Sequence, residues 1–351
     1  MTWCRPACLI VVGVALVACG SEQTGERNTA DEVAAPLAGA RLQVYASHNA
    51  VETAAVLEAF RAETGRTYRL LSDDMDEREV RLGNPDLMPD TDLYLAASLA
   101  EAWAAAEADA LRPVFSDVVA GTLPAELRDS ESRWFALSRR ARVVAYNSDQ
   151  VDTYALDRLT SYAELADERW RGQLCVSSSA VPGNRVLVAF LISRHGVREA
   201  EIIVRGWRAN LAMTVFTNDG TLLNAIADGQ CGIGLVGSNV LASFLRNSPA
   251  ARVGMHWFAD PDNTVTDISA AAVTRHAAEP AQAEALLEWL VSDSGNALFA
   301  GQRFEFPANP ASPAGDVVRG WAQNVAPSVS MSELGFLLEE ADRLIERARY
   351  P

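Results

Sequence analysis

The sequence LQVYASHNAVETAAVLEAFRAET, residues 42–64, contains the pattern from which the fold class follows. Residues 42–45 form a short run of mostly apolar side chains, which is typical of a strand. Residues 50–64 place apolar side chains at helical spacing, so they predict an amphipathic helix. The polar residues Ser47, His48 and Asn49 lie between the two, where a helix N-cap belongs. The segment is therefore predicted to be a strand followed directly by a helix.

The same succession recurs along the chain. Further strands are predicted at residues 92–97, 142–146, 174–177, 213–216, 232–236 and 268–273. Helical spacing recurs at residues 99–108, 186–194, 199–210, 222–227 and 284–292. Alternation of short strands with longer helices is typical of a mostly parallel sheet covered by helices. The predicted fold class is α/β.

Polar side chains also follow the other predicted strands. They include Ser98, Ser178, Asn218, Asp219, Ser238 and Asn239. In an open α/β sheet, ligands bind beyond the carboxyl ends of the strands, where helix N-termini present unpaired N–H groups. These junctions outline either one ligand cleft or a set of ordinary helix caps, and the spacing of the residues agrees with both.

The first 19 residues have the features of a lipoprotein signal peptide. Arg5 precedes an apolar run at residues 7–18, which is too short to cross a bilayer as a helix. Small residues precede Cys19, whose thiol is the group that lipid attachment needs. The alternative is an ordinary cleavage site that contains a cysteine. We predict lipidation of Cys19, a disordered tether at residues 20–40, and a lipid-anchored protein in the periplasm or at the cell surface.

The formal net charge is −16, and all 30 basic residues are arginine. Such an acidic surface repels nucleic acid and anionic lipid, so neither is an expected partner. The lipid anchor is the only expected contact with a membrane.

Two cysteines remain in the folded part of the chain. Cys4 and Cys8 leave with the predicted signal peptide, and Cys19 ends it, which leaves Cys175 and Cys231. An exported protein is in an oxidising compartment, where an even pair is interpreted first as a disulfide.

Motifs of enzymes and cofactor sites are missing or misleading. Residues 232–237, GIGLVG, match GxGxxG, but a turn precedes them instead of a strand, so the nucleotide-binding context fails. There is no GxSxG, HExxH or P-loop, and the four histidines are far apart in sequence. We therefore predict neither catalysis nor a cofactor.

A cluster of arginines precedes the predicted strand at residues 142–146. Arginine at such a position is able to clamp an anion with two parallel hydrogen bonds. For Arg139 we favour pairing with surface carboxylates, while Arg140 and Arg142 stay open between that role and ligand binding.

Several segments together resemble the ferric-iron-binding proteins of ABC importers. They are YAS (45–47), WFALSRRARVVAYN (134–147), WRGQLCV (170–176), GQC (229–231), DIS (267–269), LVSD (290–293) and FEFPANP (304–310). The resemblance implies a two-lobed periplasmic-binding-protein fold of type II with two mostly parallel-core sheets. It places crossing strands near residues 144–147 and 267–269, and a cleft that closes by a hinge. It divides the chain into a first lobe (41–145 plus 268–351) and a second lobe (146–267), and its cysteine pair matches Cys175 and Cys231.

The chain departs from this family at the positions that the resemblance assigns to iron ligands. The family's histidine falls on Asn49, and a tyrosine of one branch falls on Ala50. The other positions fall on Ala97, Gly183, Asn239 and Val240. A shift of register would bring in His48, but a single imidazole does not hold ferric iron against hydrolysis. We therefore predict no metal.

The substitutions predict a wider cleft for a small organic solute, neutral or anionic. The candidate ligand-binding residues are Ser47, His48, Asn49, Ser98, Arg140, Arg142, Ser178, Asn184, Asn218, Asp219, Ser238 and Asn239. Asp219 has the alternative role of a helix cap.

The resemblance implies a monomeric receptor that delivers a small molecule to an ABC permease. An accessory or sensory lipoprotein that reports its ligand state to another protein is the alternative. A last amphipathic run at residues 331–347 predicts a terminal helix on the first lobe, or one that binds a partner.

Overall fold

The computed structural model describes residues 42–47, 49–72, 91–325 and 329–350. The predicted signal peptide with Cys19, the predicted tether and His48 lie outside these residues. Within the described ranges, no helix is long and apolar enough to cross a membrane.

The strands follow one another across a single hydrogen-bonded path. They are β1 (Leu42–Ala46), β2 (Tyr68–Leu71), β3 (Leu93–Ala96), β4 (Phe135–Asn147), β5 (Leu174–Val176), β6 (Ile233–Gly237), β7 (Val253–His256), β8 (Thr266–Val273) and β9 (Phe306–Pro307). Their order is β2-β1-β3-β8-β4-β6-β5, with β7 and β9 also paired to β4. The pairs β2-β1, β1-β3 and β5-β6 are parallel, and every pair that includes β4 or β8 is antiparallel.

Helices cover this sheet. They are α1 (Ala50–Thr64), α2 (Leu99–Glu107), α3 (Asp117–Thr122), α4 (Thr153–Asp157), α5 (Pro182–Ala209), α6 (Asp219–Ala227), α7 (Ser238–Asn247), α8 (Pro280–Val291), α9 (Asp293–Gln302) and α10 (Met331–Ala348). All residues of β3 and β8 are buried. Burial on both faces requires a near-continuous apolar run, which the two sequences LYLA and TDISAAAV largely provide.

The long strand β4 joins the two halves of the molecule. Its first part pairs with β8 as far as Ala141, opposite Thr266, and its second part pairs with β6 from Arg142 onward, opposite Gly237. The change of partner therefore lies at residues 141–142, a few residues before the crossing at 144–147 that the resemblance implied. The division of the chain at residues 145 and 268 stays a prediction.

Two local predictions differ from the structure. Residues 213–216 form no strand, and only Phe216 makes an isolated bridge, to Ser177. The two helices predicted at residues 186–194 and 199–210 belong to α5, which is interrupted at Gly196. Gly196 has φ +75°, a backbone conformation that glycine adopts without a steric penalty.

The terminal helix α10 contacts both predicted lobes. Its main partner is α5, which lies in the predicted second lobe, and it also contacts α2 in the first. A stripe of buried side chains that includes Leu334, Leu338 and Ala341 makes this contact at helical spacing. The predicted contact with the first lobe is therefore present through α2, but the larger contact is with α5, because the apolar stripe does not specify which surfaces cover it.

A disulfide links Cys175 in β5 to Cys231, which comes two residues before β6. It joins β5 to the segment that leads into β6, its parallel neighbour.

Candidate functional site

A cavity of about 230 Å³ lies where the two halves of the molecule meet. The strand β4 contributes Arg140, Ala141 and Arg142, and β8 contributes Asp267. The remaining lining comes from helix N-terminal regions and the residues before them: Ala97, Glu101, Val181, Pro182, Gly183, Asp219, Gly237, Asn239 and Val240. Because strand ends and helix starts converge here, the cavity has the position expected of a ligand cleft in an α/β protein.

Arg140 is held between two carboxylates. Its guanidinium donates to Asp267 at 2.5 Å and to Glu305 at 3.0 Å, and also to the carbonyl oxygen of Ala97 at 2.6 Å. Burial alone would lower the pKa of Arg140, but the two carboxylates reverse this effect and raise it. Arg140 therefore stays charged at any ordinary pH and ties the crossing strands β4 and β8 to the first half of the molecule.

Arg142 forms the second buried ion pair of the cavity. It donates to Asp219 at 2.5 Å, and both side chains are about 5% exposed. Asp219 also accepts hydrogen bonds from the Ser177 hydroxyl at 2.6 Å and from the Gly237 N–H at 2.7 Å. The carboxylate thus has a complete set of donors, as a buried charge requires.

A third carboxylate, Glu101, belongs to the wall formed by the first half. Its Oε2 accepts hydrogen bonds from the Ser47 hydroxyl at 2.5 Å, the Ala97 N–H at 2.8 Å and the Tyr94 hydroxyl at 3.3 Å. Burial, and then the nearby Glu101, raise the pKa of Tyr94, so its hydroxyl stays protonated and donates.

Four of the six positions that the resemblance assigned to iron ligands converge on this cavity. Ala97, Gly183, Asn239 and Val240 all line it. Asn49 does not: it is exposed and caps α1 by accepting from the N–H of Val51 at 2.9 Å. Four positions from three distant parts of the sequence therefore meet at one place, and none of them carries a charged side chain.

The predicted ligand-binding residues divide into two groups. The cavity lining includes Arg140, Arg142, Asp219 and Asn239. The others have local or indirect roles: Ser98 and Asn218 cap α2 and α6, and Ser47 binds Glu101. Ser178, Asn184 and Ser238 are absent from the lining, and the latter two are fully buried and bonded to the backbone.

The sequence interpretation missed Glu101, Asp267 and Glu305. Glu101 lies within the mostly apolar run LAEAWAAA, and Asp267 is the second residue of the mostly apolar strand β8. An acidic residue inside an apolar run is a signal of a buried carboxylate, because burial of a charge requires a partner. Glu305 lies between Phe304 and Phe306, so the same signal is present there in a shorter apolar stretch.

A model of the bacterial extracellular solute-binding proteins matches residues 96–323. The chain belongs to this family. The solute-binding protein is also similar to the iron uptake protein A1 of Synechocystis, with 27% identity over 88% of this chain and 86% of that one. The matched segment contains every residue of the cavity lining.

Solved structures share the architecture of this solute-binding protein. A Trichodesmium FutA protein in complex with iron and citrate has a TM-score of 0.80 and 28% identity, covering 88% of this chain and 99% of that one. The ferric binding protein from Campylobacter jejuni has a TM-score of 0.79 and 22% identity, covering 88% of this chain and 100% of that one. The fold is therefore the two-lobed fold of periplasmic ferric-binding proteins. Within the described residues of the solute-binding protein, no group of three or more His, Cys, Asp or Glu side chains is arranged to hold a metal ion.

Proposed function

We propose that this protein is the solute receptor of an ABC importer and holds a small organic solute, not ferric iron, in the cavity between its lobes. One observation carries the proposal: the four cavity positions that resemble those of iron ligands are occupied by Ala97, Gly183, Asn239 and Val240. Ferric iron is a hard cation that requires several anionic oxygen donors, and none of these side chains supplies one.

The carboxylates of the cavity do not replace the missing donors. Asp219 is paired with Arg142 and Asp267 with Arg140. A metal ion that took Asp219 would leave the buried Arg142 guanidinium without its carboxylate partner, at a cost of about 3–5 kcal/mol, and one that took Asp267 would remove one of the two carboxylates that hold Arg140. These two ion pairs therefore oppose metal binding.

The lining favours a neutral or positively charged solute over an anion. The described hydrogen bonds of Arg140 and Arg142 all go to oxygen atoms of the protein itself. An anion would meet three carboxylates that line the cavity and two guanidinium groups whose Nη atoms already bind protein oxygen atoms. We therefore propose a neutral or positively charged solute in place of the neutral-to-anionic one, because Arg140 and Arg142, left open between ion pairing and ligand binding, are paired with carboxylates distant in sequence.

Apolar side chains form much of the remaining wall, including Ala97, Val181 and Val240. Asn239 adds a neutral amide that both donates and accepts hydrogen bonds. A solute with a compact apolar part and a few polar groups fits this lining.

A ferric-iron receptor is the second candidate. It is favoured by the names of the relatives, which include an iron uptake protein and a protein in complex with iron and citrate. Under this alternative the metal would need donors from outside the described residues or from the solute that accompanies it.

Delivery to a permease, a monomeric state and a lipid anchor at Cys19 complete the proposal, and the protein performs no chemistry on its solute. A sensory lipoprotein is distinguished by its partner: cross-linking in the native membrane captures a permease if the protein is a transport receptor.

The test is a thermal-shift and calorimetric screen of the purified protein. The panel contains ferric citrate, ferric nitrilotriacetate, amino acids, polyamines, sugars and organic acids. A solute at about 100-fold above its dissociation constant stabilises the folded state by about 2.7 kcal/mol. We expect a shift with an organic solute and none with ferric nitrilotriacetate. A shift with both ferric compounds, accompanied by a visible charge-transfer band, would establish the iron receptor instead.

A further inference from the structure

The penultimate residue of the chain, Tyr350, is buried behind the cavity. It follows α10, its side chain is only 6% exposed, and its hydroxyl donates to the carbonyl oxygen of Ser177 at 2.9 Å. Burial raises the pKa of Tyr350, so the hydroxyl is protonated and acts as a donor. None of the sequence patterns singled out this residue.

Ser177 connects Tyr350 to the cavity lining through its own hydrogen bonds. Its carbonyl oxygen also accepts from the Asn184 amide at 3.0 Å, so two donors hold the peptide group in one orientation. The hydroxyl of the same residue donates to Asp219 at 2.6 Å. Asp219 in turn binds Arg142 and the Gly237 N–H, and all three of these residues line the cavity.

The other end of α10 contacts the opposite wall. The rings of Phe336 and Trp103 meet edge to face with their centroids 4.7 Å apart. A β-carbon added at Gly335 would lie 2.1 Å from the Trp103 ring, so the helix backbone rests directly on this side chain. Trp103 is in α2, two residues after the cavity residue Glu101.

Between these ends, polar contacts align α10 with α5. Arg185 makes two hydrogen bonds with Asp342, at 2.7 and 2.6 Å, and Arg347 binds Glu201 at 3.0 Å. One helix therefore touches the back of both cavity walls and is fixed along its length.

We propose that Tyr350 is a positioning residue of the ligand cavity and that α10 braces the two walls from behind. Tyr350 acts through Ser177, which orients Asp219 and with it the Arg142 guanidinium. The role rests on the proposed function only in taking this cavity as the ligand site. The test of this role uses no ligand. The positioning role of Tyr350 can therefore fail while the proposed function stands, and the proposed function can fail while the positioning role stands.

The experiment measures native-state hydrogen exchange in the full chain carrying Tyr350→Phe. This change removes one hydroxyl and keeps the ring. The probe is the Gly237 amide, which donates to Asp219. We expect its exchange to become about tenfold faster, the factor that corresponds to one buried hydrogen bond. The Val44 amide in β1 and the control variant Tyr154→Phe, whose side chain is 67% exposed, should show little change. Equal acceleration at Gly237 and Val44, or no change at Gly237, would overturn the proposal.

A second variant separates positioning from general stabilisation. Ser177→Ala removes the hydroxyl through which Tyr350 is proposed to act. In that background, Tyr350→Phe should accelerate Gly237 exchange by less than about twofold, because residues in one network are not additive. A further acceleration of about tenfold in the double variant would show that Tyr350 does not act through Ser177.

Discussion

Gly183 lies directly against Arg142. A β-carbon added at residue 183 would be 3.3 Å from Cδ of Arg142 and 3.7 Å from its Nη1. The guanidinium that pairs with Asp219 therefore occupies the space that a side chain at residue 183 would enter. The resemblance places an iron-binding tyrosine at this position. A tyrosine side chain here would compete for space with the guanidinium of the Arg142–Asp219 ion pair, which a glycine accommodates.

Substitutions at Gly183 should depend steeply on size. Gly183→Ala requires a shift of a few tenths of an ångström and replaces glycine in a helix, so we expect a change in unfolding free energy within about 1 kcal/mol. Gly183→Leu should displace Arg142 and lower the unfolding free energy by about 3 kcal/mol, through the buried ion pair. Urea unfolding measures both. Gly301→Ala is the control, because a β-carbon there meets nothing within 4 Å. Equal effects of alanine and leucine at residue 183 would contradict the close contact.

Removal of one partner of the Arg142–Asp219 pair should cost more than removal of both. Asp219→Ala leaves a buried guanidinium uncompensated, and we expect a loss of about 3–5 kcal/mol in unfolding free energy. Arg142→Met combined with Asp219→Leu should lose less, because no charge remains buried. The exposed pair Arg252–Asp149, with side chains 67% and 53% exposed, is the control, and its removal should cost at most about 1 kcal/mol. A double variant less stable than Asp219→Ala would contradict the expectation that one uncompensated buried charge costs more than the loss of both charges.

Loss of the disulfide should destabilise the second half of the molecule. The bond closes a loop between residues that are 56 apart in sequence. Loop-closure entropy predicts that Cys175→Ala with Cys231→Ala lowers the unfolding free energy by about 4 kcal/mol. The measurement is urea unfolding of the double variant beside the oxidised protein. Unchanged stability would mean that the reduced, unfolded chain is already compact.

Glu52 should make stability depend on pH. Burial raises the pKa of Glu52, Arg303 opposes this, and Glu305 adds to it. A carboxyl whose pKa is raised by folding favours the folded state below its unfolded pKa and loses that contribution as pH rises through the folded value. Glu52→Gln should therefore stabilise the protein at pH 7, by less than about 1 kcal/mol because the side chain is partly exposed, and not below about pH 4.

The matched control is Glu58 on the same helix. A hydrogen bond from Arg61 lowers the pKa of Glu58, so its contribution is present at neutral pH and disappears as pH falls. Glu58→Gln should thus have the opposite sign at pH 7. Thermal unfolding between pH 3 and pH 7 in about 20 mM salt measures both variants, since higher salt screens the exposed pair. Effects of the same sign at pH 7 would refute the raised pKa of Glu52.

Local sequence patterns determined the elements and their class. The strand-to-helix unit at residues 42–64 appears as β1 and α1, and the junction residues Asn49, Ser98 and Asn218 cap their helices. These features depend on neighbours within a few residues, so periodicity and capping chemistry suffice to predict them. The pattern failed at residues 213–216, where an apolar run has no strand beside it except at one bridge.

Only the tertiary structure decided the charge of the cavity and the place of α10. The sequence left Arg140 and Arg142 open between ion pairing and ligand binding, and Asp267, Glu305 and Asp219 pair with them from 77 to 165 residues away in sequence. Likewise, the apolar stripe of α10 requires a covering surface without specifying which one. The physical reason is the same in both cases: burial and pairing depend on which distant surfaces meet, and that information is carried by packing and not by local spacing.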